Sequence, residues 1–147
     1  MRNIKDVAAG FDSLTADDFD WSNREANGWE RLQFLCDELV EISEPTTCTP
    51  IMFRLMERLD RSDLGTPGPL VHAIEKLRGG YESLLAESLR RKPSPLTIWM
   101  ANRILNTNPT DTNEWLALLR SIADHPEASI LAKQEAADFL IFQERKT

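Results

Sequence analysis

Residues 94–106 read Ser-Pro-Leu-Thr-Ile-Trp-Met-Ala-Asn-Arg-Ile-Leu-Asn, and the run combines a helix start with an apolar body. Proline has a fixed φ near −65° and no N–H, so it is well tolerated at the first helical position behind a capping residue such as Ser94. Leu96, Ile98, Trp99, Met100, Ile104 and Leu105 then surround the axis almost completely. A helix apolar on nearly every side lies between neighbours, so Trp99 and Met100 read as core residues.

Working outward, the same start recurs at Thr49-Pro50 and Gly68-Pro69, and more loosely at Asp124-His125-Pro126-Glu127. Pro45, Pro67, Pro93 and Pro109 fall between the periodic segments. The pattern predicts helices over 26–43, 50–61, 69–78, 80–91, 95–106, 112–124 and 127–144. Gly79-Gly80 separates the third from the fourth, and Asp111-x-x-Glu114 has the form of a capping box for the sixth. No segment alternates like a strand between hairpin turns. The expectation is an all-α chain, a single domain over residues 1–147, with six or seven helices packed as antiparallel hairpins across short connections. Tyr81-x-x-Leu84-Leu85 recurs as Trp115-x-x-Leu118-Leu119, 34 residues later. That interval suits a repeat of helix pairs. The tetratricopeptide signature is missing, so a HEAT-like stack is expected.

The 147 residues suffice for a hydrophobic core without metal or disulfide staples. No apolar run approaches the roughly 18 residues of a membrane helix, and the N-terminus has no secretory block, so a cytoplasmic protein is expected. Charge is unevenly spread. Residues 1–45 hold eleven acids against four bases, and the remaining 102 residues hold thirteen of each. The whole net charge of −7 therefore sits in the first third of the chain. This argues against direct nucleic-acid binding, which needs a basic footprint, and fits a surface that steers a basic partner.

Residues able to carry chemistry are sparse. His72 and His125, the two histidines, fall in different helical hairpins without metal-ligand spacing. His72 lies opposite the stripe of Leu70, Ile74 and Leu77 and should be exposed, while His125 belongs to a turn. Cys36 shares an apolar face with Leu32, Leu35 and Leu39 and reads as an inert thiol; Cys48 falls in a loop, with no base beside it. Gly65-Thr66-Pro67-Gly68-Pro69 is too proline-bound to wrap a phosphate, and Asp17-Asp18 lacks the spacing of a calcium loop. Arg90-Arg91-Lys92 complements the negative end of its helix. No catalytic residue, metal ligand or cofactor is assigned, and the protein is expected not to be an enzyme.

The first long helix carries the surface that looks built for contact. At about 100° per residue, Leu32, Leu35, Cys36 and Leu39 share one side, and Glu30, Asp37, Glu41 and Glu44 fall together on another. Phe34 projects from the edge of the acidic sector. Acids that steer beside a ring that anchors make an interface; the competing reading packs Phe34 beneath residues 11–29. The partner-binding candidates are Glu30, Phe34, Asp37, Glu41 and Glu44.

The stretch from Gly65 to Asn106, with GTPGPLVHAIEKL and RRKPSPLTIWMANRILN, resembles immunity proteins of bacterial contact-dependent inhibition and other polymorphic toxin systems. Small size, helical pairs, excess acid and no catalytic motif add to the resemblance. It implies a cytoplasmic protein that binds and blocks one cognate toxin domain, often a nuclease. A nuclease presents a basic cleft to phosphate, which an acidic ridge fits. The alternative is a HEAT-like adaptor or scaffold module with no toxin partner.

Overall fold

The computed structural model describes residues 3–77 and 80–146. Among them the regular structure is entirely helical: α1 (Ile4–Ser13), α2 (Gly28–Ile42), α3 (Pro45–Arg58), α4 (Gly68–Lys76), α5 (Glu82–Arg91), α6 (Pro95–Leu105), α7 (Thr112–Ser121) and α8 (Ile130–Arg145). Short 3-10 turns cover Ala16–Phe19 and Ile122–Asp124. The all-α expectation holds, but there are eight α-helices rather than six or seven.

The added helix is α1. Asp6 N donates to Asn3 Oδ1 at 3.0 Å and Asn3 N donates back to Asp6 Oδ2 at 3.4 Å, so two otherwise orphaned donors are satisfied reciprocally. Val7 and Phe11, four residues apart, are buried on its inner face. Its last carbonyls are held from a distance: the Arg58 guanidinium donates to Leu14 O at 2.8 Å and Phe11 O at 2.9 Å.

Two starts differ from the proline reading. α3 begins at Pro45, with Pro50 inside it. Thr47 and Cys48 donate their N–H groups to Glu44 O at 2.9 and 3.0 Å. The earlier proline therefore takes the first helical position, and Pro50 merely supplies no N–H to the Thr46 carbonyl. The shift draws Cys48 out of its expected loop and buries it completely, with Thr49 beside it. α8 starts at Ile130 because Ser129 Oγ accepts from Ala132 N at 3.1 Å, a better cap than anything before Pro126. His125 forms a turn as expected: Nδ1 accepts from Glu127 N at 3.0 Å and Nε2 donates to Arg90 O at 2.6 Å. Asp111 precedes α7 without a side-chain capping bond, so the expected box is not made. The Gly79 half of the Gly79-Gly80 break, and the predicted helix end at residue 78, lie outside the described residues.

α6 is central, as its composition requires: Leu96, Ile98, Met100, Ala101, Ile104 and Leu105 are buried. Ser94 caps it in a reciprocal pair with Thr97, through bonds of 3.2 and 3.0 Å. Met100 is core; Trp99 is only partly buried, with the Arg103 guanidinium 5.4 Å over its ring. One core cluster runs from Val7 to Ala136. Packing follows two rules. Neighbours in sequence pack as α1 with α2, α5 with α6, and α7 with α8; helices two apart pack as α1 with α3, α3 with α5, α2 with α4, and α6 with α8. The α4–α6 gap is crossed by an ion pair, Glu75 to Arg103 at 2.9 Å.

Buried polar groups are paired. Glu57 of α3 accepts from Arg91 Nε and NH2 of α5 at 2.8 and 2.6 Å and from Ser88 Oγ at 2.8 Å. Arg91 thus does more than complement its helix end: it satisfies a carboxylate that burial would otherwise penalise. Gln143 of α8 donates to Asn102 Oδ1 at 2.6 Å and Asn106 Oδ1 at 2.9 Å, joining α8 to α6.

Candidate partner-binding surface

The apolar stripe of α2 is buried through Leu32, Leu35, Cys36 and Leu39. The opposite face is open to solvent. Glu30, Phe34, Asp37 and Glu41 are exposed at spacings of four, three and four residues, which stacks them along one side of the helix. Phe34 is 64% exposed, so the reading that tucked it beneath residues 11–29 is overturned. Burying such a ring stabilises a fold by about 1.5–3 kcal/mol; leaving it in water forgoes that gain. Glu44 departs from the expected ridge. α2 ends at Ile42, and Glu44 lies past it in extended backbone, as the residue before α3. It is exposed but belongs to the corner between two helices rather than to the α2 face.

Nothing neutralises the ridge from within α2. Its one base, Arg31, points elsewhere: NH2 donates to Ser13 Oγ at 2.9 Å, and NH1 lies 3.4 Å from Asp18 Oδ1. Among the described residues no ion pair reaches Glu30, Glu41 or Glu44, and Asp37 accepts only a neutral amide bond, from Gln33 Nε2 at 3.0 Å. Beside the ridge lies a hollow of about 390 Å³ bordered by Glu30, Arg31, Phe34 and Leu35 of α2, by Asn27 just before it, and by Gly10 and Ser13 of α1. At its edge α1 and α2 approach closely at Gly10, where a Cβ would fall 2.6 Å from Leu35 Cδ2.

The sequence reading missed further exposed apolar groups. Trp21 is 74% exposed, in the turn between the first 3-10 segment and α2. Its ring stacks on Trp29 with centroids 3.9 Å apart and planes 23° apart. Its indole N–H donates to Asp63 Oδ2 at 3.1 Å. Ile130, Leu131, Ile141 and Phe142 are exposed on α8, which buries small Ala132 and Ala136 instead. A tryptophan among acids was a readable signal for Trp21. For α8 there was none, since its apolar residues are spread around the whole helix.

The groups considered for chemistry have structural surroundings. Cys36 is buried, and burial foremost, with the Asp37 charge second, pushes its thiol up to about 12. His72 is exposed, as its position on α4 predicts. Asp18 accepts from Thr15 N at 2.8 Å in the 3-10 turn, which accounts for that half of the Asp17-Asp18 pair. Among the described residues no three His, Cys, Asp or Glu side chains cluster as metal ligands, and no helix is long and apolar enough to cross a membrane. No family model, curated protein or solved structure matches this chain.

Proposed function

We propose that this chain is an immunity-type inhibitor that works by binding rather than turnover. It acts inside the cell, covering the basic active-site cleft of a cognate toxin domain, a nuclease by expectation. The observation that carries the reading is the α2 face: an exposed phenylalanine flanked by Glu30, Asp37 and Glu41, with the one base of the helix bonded to Ser13 and Asp18 instead of to these carboxylates. Carboxylates in such a row raise the encounter rate with a cationic cleft, and the ring supplies the desolvated anchor that slows dissociation. The HEAT-like arrangement belongs to this proposal too. Its support is the alternation of contacts between neighbours and between helices two apart, together with the 34-residue echo that lands on α5 and α7.

A direct test is co-expression with the C-terminal domain of a large secreted toxin encoded beside this gene. Growth should be rescued by the wild type. Asp37→Lys/Glu41→Lys should slow association and flatten its salt dependence. Phe34→Ala should leave the association rate alone and raise the off-rate about 30-fold, the equivalent of about 2 kcal/mol at a hot spot. Rescue that is indifferent to all three changes removes α2 as the binding face. A second reading, an adaptor joining two proteins, is favoured by the apolar residues exposed on α8. It predicts a partner that α8 substitutions release and α2 substitutions do not.

A further inference from the structure

We propose that the outer face of Trp21 is a seat for an arginine or lysine side chain of the basic partner, separate from the α2 ridge. The proposal rests on the reading that the partner is basic, and it adds a second contact with its own chemistry.

Trp21 is exposed yet held on two counts. One face stacks on Trp29, and the indole N–H is fixed to the Asp63 carboxylate. Trp29 is itself fixed, donating its indole N–H to Asp63 O at 2.9 Å and meeting the buried Phe19 ring edge-on at 5.6 Å. Asp63 in turn is placed by a bond from Gly65 N to Oδ1 at 3.0 Å. A ring anchored in this way has little rotamer freedom left to lose on binding. Tryptophan also has the aromatic face that attracts cations most strongly.

The surroundings select the sign of the ligand. A depression of about 580 Å³ beside Trp21 is bordered by Asp17, Asp20 and Asp63, with Arg61 the one base. Asp20 accepts from Ser22 Oγ at 2.7 Å and Ser22 N at 2.9 Å, and these bonds, the hydroxyl first, hold its carboxyl below the usual range. A guanidinium laid flat on the indole presents its N–H edge to such carboxylates, whereas an anion meets net repulsion and an apolar group leaves the carboxylates unused.

The probe is an octa-arginine peptide titrated into the full chain, read by the indole N–H resonances in nitrogen-15 NMR. The Trp21 and Trp29 signals should shift saturably, with no response to octa-glutamate. Trp21→Ala should weaken binding at least fivefold with an unchanged circular dichroism spectrum. Asp17→Lys, on an exposed position of the rim, should weaken it comparably without moving the indole signals of the free protein, which keeps the test usable should Trp21→Ala fail to fold. Wild-type affinity in either folded variant, or saturation with the Trp21 indole signal unmoved, overturns the proposal. Asp37→Lys/Glu41→Lys separates the two readings. Retained Trp21 shifts together with lost growth rescue leave the seat standing and locate toxin binding on α2; retained shifts with full rescue sink the ridge alone.

Discussion

At the scale of single residues, two large aromatics are exposed where burial would be usual, and the small thiols are buried as such groups usually are. Phe34 and Trp21 lie in water while the two thiols are enclosed. For Cys36 the enclosure has a measurable consequence. The unfolded chain releases this proton near the ordinary value of 9.0 and the folded chain near 12. Between those values the native state keeps a proton that the unfolded state has lost, so stability is full below about pH 9 and falls as pH rises through the window. The slope should be up to about 1.4 kcal/mol per pH unit. Tyr81, raised first by burial and then by Glu75 and Glu82, acts in the same direction. Urea midpoints measured from pH 8 to 11 should therefore decline, and less steeply in Cys36→Ala. Parallel declines in the two proteins would remove Cys36 as a cause.

At the scale of elements, the distinctive joint is the one that ties α1 to the rest. α1 has its own N-terminal cap, but its C-terminal carbonyls depend on Arg58, 44 residues beyond Leu14. A charged donor to backbone carbonyls contributes about 1.5–3 kcal/mol when well shielded. Arg58 is exposed, so Arg58→Ala should cost about 1 kcal/mol. The loss should be local, with amide exchange accelerating over residues 4–14 while α6 keeps its protection. Uniform acceleration would mean that α1 unfolds only with the whole chain. The start of α2 is tied just as tightly: a Cβ on Gly28 would fall 2.5 Å from the Asp18 carbonyl oxygen. Only glycine lets the 3-10 turn that precedes Trp21 approach the helix.

At the scale of the whole molecule, charge is divided along the chain although the core is continuous. The acidic first third forms α1, α2 and the turns between them, whereas α3 to α8 are balanced overall. Like charges concentrated at one end repel in the folded state, and salt relieves that repulsion. Raising sodium chloride from 10 to 200 mM should lift the melting temperature. The gain should shrink in Glu30→Gln/Asp37→Asn/Glu41→Gln, which keeps size and helix propensity while removing charge. Equal gains in both proteins would show that the α2 carboxylates are not the seat of the strain.

What the sequence determined by itself rests on neighbours a few residues away. Helix periodicity, the Ser94-Pro95 and Gly68-Pro69 starts and the exposed face of α2 follow from 3.6-residue geometry and from proline lacking an N–H. The capping pair of Asn3 and Asp6 is equally local and lies in the sequence in the same way. Where two start signals competed, packing chose in one case and a local capping bond in the other. Pro45 prevailed over Pro50 because the earlier start buries Cys48 and Thr49, and Ser129 over Pro126 because its hydroxyl reaches Ala132 N. The position of Glu44 at a corner, the Glu57–Arg91 pair and the Trp21–Trp29–Asp63 assembly join residues more than thirty positions apart, or depend on where a helix stops. No periodicity carries that information. It exists only once the helices have packed and their loops have met.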